Sequence, residues 1–117
     1  MNLETILTHY AISALWSSTG DNGEPLDDLH DVGDIAPETM QAMRDDVASF
    51  VSQNEALLIE SEQSDEQIGH DFWLTRNGHG AGFWDRGLGD VGDKLTEACK
   101  PFGSVDLYVG DDGQVYA

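Results

Sequence analysis

The chain has 117 residues, of which 23 are acidic and 5 are basic, and its formal net charge is −18 at pH 7. This length fits one compact domain, residues 1–117. A surface of this charge repels phosphate backbones and anionic lipids, so direct binding to nucleic acid or to a membrane is not expected. The single cysteine, Cys99, excludes an internal disulfide. No apolar run approaches the ~20 residues that a membrane-spanning helix needs.

The first predicted element is a helix over residues 3–17. Asn2 is suited to cap its start, and Glu4 lies in the first turn, where a negative charge is favourable. No basic segment precedes an apolar core here, so a signal peptide is not expected. Apolar residues recur at the spacing of one helix face. They are Leu3, Ile6, Leu7, Tyr10, Ala11, Ala14 and Leu15.

Residues 18–36 form a long polar connection, and connections of this length are usually functional or mobile. Asp-Asn-Gly at 21–23 is typical of a turn. Apolar residues recur at every third position from Leu26 to Ile35, which favours one helical turn anchored to the core. The acidic residues of this connection are Asp21, Glu24, Asp27, Asp28, Asp31 and Asp34.

A second helix is predicted to begin near Pro37, a favourable first-turn residue. It is expected to end at Leu57 or Leu58, with a break at Asn54. Its inner face is predicted from Met40, Met43, Val47, Phe50 and Val51. Its outer face carries Glu38, Asp45 and Asp46.

Residues 64–77 are open to two interpretations. The run Phe-Trp-Leu-Thr within residues 70–76 is compatible with a strand, followed by a hairpin turn at Asn77-Gly78. A helix is favoured, because Ser64 and Gln67 have the spacing of a capping box and Asn77-Gly78 then supplies a left-handed helix end. Gly69 weakens this prediction, since glycine costs about 1 kcal/mol relative to alanine inside a helix.

The rest of the chain predicts a glycine-rich turn, one helix and a hairpin. Glycines at 78, 80 and 82 mark the turn, after which Phe83 and Trp84 are expected to enter a short strand. A helix is expected over residues 90–100, where Pro101 ends it. Apolar residues alternate with other residues before the turn Gly-Asp-Asp-Gly at 110–113, which predicts a hairpin over residues 105–116.

These elements predict the α+β fold class. The expected order is N-terminal helices, then a short helix, a glycine-rich turn and a small antiparallel β-sheet with one further helix. Within the single domain, residues 1–69 form an acidic helical part with 15 acidic residues and one basic residue. Residues 70–117 form an aromatic and glycine-rich part with eight acidic and four basic residues.

No catalytic, metal or cofactor site is predicted. His70, Asp71, His79 and Asp85 lie close together in the sequence, but their spacing matches no zinc motif. The acidic turns lack the twelve-residue calcium pattern, and the glycines at 78–82 are not followed by the helix that a phosphate site needs. A small metal-dependent enzyme remains an alternative, as does catalysis with His79 and Asp85 as a base and its orienting acid. In the catalysis that uses His79 and Asp85, the nucleophile would be Cys99 or Ser104.

Two sets of residues are predicted to contact a partner. In the first set, Trp73, Arg76, Trp84 and Arg86, arginine can stack on indole to give a rigid platform. The alternative for this set is a local core in which Trp73 packs on Trp84. The second set consists of carboxylates that together approximate the charge array of a nucleic acid. Its members are Asp27, Asp28, Asp31, Asp34, Asp45 and Asp46.

The run FWLTRNGHGAGFWDRG at residues 72–87 resembles a group of small acidic proteins encoded by tailed bacteriophages and prophages. The resemblance extends upstream through ALWSSTGDNGEPLDD and DIAPETMQAMRDDVASF, and so covers nearly the whole chain. These proteins have no assigned activity, so no functional residue carries over. The resemblance implies a protein that is made in the cytoplasm of an infected bacterial host.

The favoured hypothesis is an acidic binding protein that mimics nucleic acid. Its expected partner is the basic surface of a host or phage nucleic-acid-binding protein, or of a defence enzyme such as a restriction or CRISPR nuclease. The main alternative is a structural or regulatory phage module that acts through the tryptophan and arginine surface. The sequence leaves the oligomeric state open.

Overall fold

The computed structural model describes residues 1–20 and 22–117. Over these residues the chain is mostly helical, with one small two-stranded antiparallel sheet near the C-terminus, which confirms the α+β class in broad terms. The helices are α1 (Leu3–Ser17), α2 (Pro37–Gln53), α3 (Glu55–Ser61), α4 (Asp65–Arg76) and α5 (Asp90–Cys99). The strands are β1 (Tyr108–Val109) and β2 (Val115–Tyr116).

The packing of α1 against α4 is the main helix contact of the fold. Gly69 lies where the two helices cross. A Cβ atom at this position would lie 2.8 Å from the Tyr10 amide nitrogen and would also overlap the Ile6 carbonyl oxygen. Glycine is therefore required by the close approach of two backbones, although it is a poor helix former.

Side-chain caps fix the starts of α1 and α4 as the sequence predicts. The Asn2 side chain accepts a hydrogen bond from the Thr5 amide (3.1 Å), and the Ser64 hydroxyl accepts one from the Gln67 amide (3.1 Å). These bonds satisfy amides that have no partner inside the helix. Residues 70–76 are helical, so the interpretation as a helix rather than a strand is confirmed.

Aromatic rings from both parts of the sequence form one core. The Phe50 and Phe72 rings stack with their centroids 4.1 Å apart, and Tyr10 meets Trp73 edge to face at 5.4 Å. Phe83 is fully buried and lies 5.8 Å from Phe50. The acidic part and the aromatic part therefore share their hydrophobic interior.

Three local predictions were wrong. The helical segment that begins at Pro37 was expected to end at Leu57 or Leu58, but α3 continues to Ser61. Phe83 and Trp84 form a 3-10 turn, Phe83–Asp85, and not a strand, because the Thr75 hydroxyl accepts a hydrogen bond from the Phe83 amide (3.1 Å). The connection after α1 contains two 3-10 turns, Leu26–Asp28 and Val32–Asp34, where one helical turn was expected. Of the predicted turn at 21–23, Asp21 lies outside the described residues.

The break at Asn54 is present, since α2 ends one residue before it and α3 begins one residue after it. No described helix is both long enough and apolar enough to cross a bilayer.

Candidate functional site

Residues 24–34, which we call the acidic segment, are tied to the fold at both ends. At the first end, Thr19 forms an antiparallel bridge with Pro25, and the Leu26 amide donates to the Ser18 carbonyl (2.9 Å). Beyond the second end, the Ala36 amide donates to the Val115 carbonyl on β2 (2.9 Å). The side chain of Leu26 is buried. These contacts hold the segment in a defined position against α1 and the sheet.

Two carboxylates shape the second turn of the acidic segment. The Asp31 carboxylate accepts a hydrogen bond from the Gly33 amide (2.9 Å), and the Asp34 carboxylate accepts one from the Asp31 amide (2.9 Å). This reciprocal arrangement is a capping box. Asp27 and Asp28 are exposed on the preceding turn. The segment is thus a fixed structure that presents its charges, and two of those charges help to fix it.

Four of the five basic residues form ion pairs with carboxylates outside the acidic segment. Ion pairs join Arg76 to Asp46 (2.7 Å), Arg86 to Asp71 (2.9 Å) and Lys100 to Glu97 (2.7 Å), and Arg44 pairs with Glu4. Among the described residues, no basic side chain forms an ion pair with a carboxylate of the acidic segment. Within residues 1–20 and 22–117, no ion pair therefore neutralises its negative charge.

The two remaining predicted carboxylates, both on α2, differ from each other. Asp45 is exposed and accepts a hydrogen bond from the Gln41 side chain (2.9 Å). Asp46, whose side chain is 40% exposed, accepts a hydrogen bond from the buried Arg76 guanidinium (2.7 Å). Asp45 can add to the exposed charge, whereas the charge of Asp46 is paired with Arg76.

Arg76 was predicted to lie on a contact surface, but only 2% of its side chain is exposed. Its guanidinium donates to the Phe102 carbonyl (2.6 Å), the Gly103 carbonyl (2.9 Å) and the Tyr10 hydroxyl (3.0 Å). It also lies 5.7 Å from the ring centroids of Phe72 and Phe102. Arg76 thus joins α4 to α1, α2 and the turn after α5, and it cannot reach a partner.

The predicted tryptophan pair is split between the core and the surface. Trp73 is 1% exposed, and its indole nitrogen donates to the Ser17 hydroxyl (2.7 Å). Trp84 is 50% exposed on the 3-10 turn Phe83–Asp85. The two indoles make no ring contact among the described residues. The predicted platform shared by the two tryptophans and the predicted local core, in which Trp73 packs on Trp84, are therefore both wrong.

Arg86 is only partly exposed, because it neutralises the buried carboxylate of Asp71. Its guanidinium donates to Asp71 through two nitrogens, at 2.9 and 3.2 Å. The Gln63 and Gln67 side chains donate to the same carboxylate at 2.9 and 2.8 Å. The hydrogen bond to Asp71 raises the pKa of Arg86. This pair holds the glycine-rich segment against α4.

The contacts of the described residues distribute the side chains of the enzyme alternative among different places. Burial lowers the pKa of His70, whose Nδ1 lies 2.6 Å from the buried Ser13 hydroxyl. His79 lines a separate polar pocket with Ser104, whereas the Asp85 carboxylate accepts a hydrogen bond from the Gly82 amide (3.0 Å). Within the described residues, no group of three side chains is placed to hold a metal ion.

Sequence reasoning missed an apolar groove between α1 and the acidic segment. Its volume is about 540 Å³, and Ile12, Leu15 and Val32 line it together with Asp27 and Asp31. The signal was present, because Ile12 and Trp16 are large apolar residues one helical turn apart and outside the predicted inner face of α1. They are 44% and 55% exposed.

Comparisons with protein-family models, curated proteins and solved structures found no match to this chain. The resemblance of the glycine-rich motif to phage proteins therefore stays a prediction. The interpretation of the site rests on its own geometry and charge.

Proposed function

We propose that this protein is an acidic binding protein that occupies the basic surface of a host nucleic-acid-handling or defence complex and competes there with nucleic acid. The observation that carries the proposal is the acidic segment: its carboxylates lie on a backbone tied at both ends, and no described cation forms an ion pair with them. Asp27, Asp28, Asp31 and Asp34, with Asp45 on α2, are the contact residues of this proposal.

A fixed array of charge is what a nucleic-acid mimic needs. Duplex DNA presents about one charge per 1.7 Å of its axis, and a protein groove lined by lysine and arginine is complementary to such a density. A preorganised array loses less conformational entropy on binding than a flexible acidic tail does. Electrostatic steering would also speed association, and added salt would slow it.

The resemblance to phage proteins gives this proposal its setting. A protein made in an infected bacterium meets restriction enzymes, CRISPR enzymes and polymerases, all of which bind nucleic acid through basic surfaces. The bacterial cytoplasm is the compartment in which we propose that the chain acts. The acidity of the chain agrees with a basic protein partner and disfavours nucleic acid as the direct ligand.

The proposal is tested by capture from a bacterial lysate at about 0.1 M and about 1 M salt, between which the Debye length falls from about 10 Å to about 3 Å. We expect the captured proteins to be basic nucleic-acid-binding proteins that are released at the higher salt. Capture of proteins that are not basic, or capture that is indifferent to salt, would contradict the proposal.

Two variants of equal charge make this test specific. The first carries Asp27→Asn, Asp28→Asn, Asp31→Asn and Asp34→Asn, in which asparagine keeps an oxygen for each turn hydrogen bond. The second removes four exposed carboxylates outside the acidic segment and Asp45, through Glu55→Gln, Glu60→Gln, Glu66→Gln and Asp106→Asn. Loss of capture by the first variant alone supports the proposal, and equal loss by both would reduce it to an effect of net charge.

We also propose, as a second candidate, a regulatory phage module that acts through Trp84. Its support is the exposure of this indole, which lies two residues before Arg86 in the chain, and the Arg86 side chain is one third exposed. Trp and Arg are enriched among residues that dominate interface energies. Substitution Trp84→Ala would then abolish partner capture and leave the salt dependence of any residual binding unchanged.

A further inference from the structure

The groove between α1 and the acidic segment combines an apolar interior with a negative edge. Ile12 and Leu15 come from α1, and Val32 comes from the second 3-10 turn of the acidic segment. Asp27 and Asp31 belong to the same lining. A volume of about 540 Å³ lies within the range of about 300–1,000 Å³ that is typical of small-molecule sites, and it can receive a large apolar side chain.

Charge decides which kind of side chain fits this groove. No lysine or arginine occurs between residues 18 and 43, and among the described residues that line the groove, His30 is the only one whose side chain can become a cation. A second copy of this chain is a poor occupant, because its net charge is −18. An acidic peptide would be repelled in the same way. The complementary occupant has positive charges around an apolar residue.

We propose that the groove binds a basic amphipathic segment of the partner protein, in which one large apolar side chain enters between α1 and the acidic segment while flanking lysine or arginine residues meet Asp27 and Asp31. This inference rests on the proposed function and names the part of the partner that is recognised. The apolar side chain supplies the anchor, and the flanking charges supply orientation and association rate.

The test uses three synthetic helical peptides and titration calorimetry. The first is an amphipathic peptide of leucine and lysine, the second replaces each leucine with glutamine, and the third replaces each lysine with glutamate. We expect the leucine–lysine peptide to bind about tenfold more tightly than the glutamine–lysine peptide, because burial of one large apolar side chain contributes about that factor or more. The leucine–glutamate peptide should not bind.

Matched variants locate the contact. Ile12→Ser removes an apolar side chain of the groove that is 44% exposed, and Ile59→Ser removes one on α3 that is 62% exposed. Both side chains are exposed enough for the fold to tolerate serine. The tenfold preference for leucine should disappear in Ile12→Ser and persist in Ile59→Ser.

Each other outcome has a separate meaning. Equal binding of the two lysine peptides would overturn the proposal that the groove binds an apolar side chain. It would leave the proposed function intact, since charge alone would account for recognition. A preference for leucine that survives in Ile12→Ser, or tight binding of the leucine–glutamate peptide, would also overturn the groove. Failure of both lysine peptides to bind at low salt would contradict the proposed function as well.

Discussion

At the scale of single residues, side chains with the chemistry of a binding site are mainly used to hold the molecule together. Arg76 and Trp73 are interface-type residues in the sequence, yet both are buried in hydrogen-bonded contacts. Their partners Tyr10 and Ser17 lie more than fifty residues earlier in the chain. No local pattern reveals such contacts, so the sequence could not separate a structural arginine from an exposed one.

The pair of Arg86 and Asp71 gives a direct prediction of stability. Asp71 is fully buried, so Arg86→Met leaves a carboxylate with only neutral donors. Loss of one partner of a buried pair costs about 3–5 kcal/mol, and we expect about 3 kcal/mol in urea unfolding because Arg86 is one third exposed. Lys100→Met, which removes an exposed ion pair, should change the unfolding free energy by less than about 1 kcal/mol. Similar losses of unfolding free energy in both variants would show that the burial of Asp71 does not make its pair with Arg86 more important than an exposed ion pair.

Cys99 gives a prediction of reactivity and pH dependence. The thiol is buried, and burial raises its pKa from 9.0 to about 12. The native thiol should therefore resist an aromatic disulfide reagent at neutral pH, whereas the unfolded thiol reacts. Since the unfolded chain releases this proton first, the contribution to stability is complete below about pH 9 and is lost as the pH rises towards 12.

Cys99→Ala is the control for the pH dependence. This variant should flatten the fall in unfolding free energy that begins near the ordinary thiol pKa, which is 9.0. Burial also raises the pKa of Tyr10 to about 12, so part of the fall at higher pH should remain. If the unfolding free energy of Cys99→Ala falls with rising pH as it does in the original chain, groups other than Cys99 cause the fall.

At the scale of secondary-structure elements, helices were predictable where capping and periodicity agree. The starts of α1 and α4, the first turn of α2 and the break at Asn54 follow from local chemistry. The 3-10 turn Phe83–Asp85 does not, because it depends on the Thr75 hydroxyl of a different element. Ile12 was likewise left without a role, since its groove forms only when the acidic segment folds back along α1.

At Gly69, helix propensity and packing predict changes in stability of opposite sign for substitution by alanine. Helix propensity alone predicts that Gly69→Ala stabilises the protein by about 1 kcal/mol. The overlap with backbone atoms of α1 predicts a net loss of about 3 kcal/mol, because backbone cannot move aside as a side chain does. The matched control is Gly80→Ala, where a Cβ atom would meet nothing within 4 Å. A Gly69→Ala variant that is as stable as the control would contradict the close crossing of α1 and α4.

At the scale of the whole molecule, charge acts against folding. A net charge of −18 on 117 residues produces self-repulsion, which the few internal ion pairs do not remove. The excess of acidic residues in the first 69 positions was evident from the sequence. The sequence did not reveal that Asp46 is neutralised by Arg76 while the acidic segment has no such partner among the described residues.

This repulsion predicts a trade-off between stability and function. The variant with asparagine at positions 27, 28, 31 and 34 should have a higher Tm than the original chain, because it loses like charges and keeps its turn hydrogen bonds. Added salt should raise the Tm of the original chain more than that of the variant. A lower Tm for the variant, measured at low salt, would mean that these carboxylates serve the fold more than a partner.

The central claim is that the acidic segment takes the place of a nucleic acid on a basic partner. The most direct measurement is a competition titration, in which a labelled DNA duplex is bound to the purified partner and this protein is added while fluorescence anisotropy is recorded. The account predicts full displacement of the duplex, with a midpoint that rises with salt and rises strongly for the four-asparagine variant. A ternary complex that retains the duplex at saturating protein would contradict it.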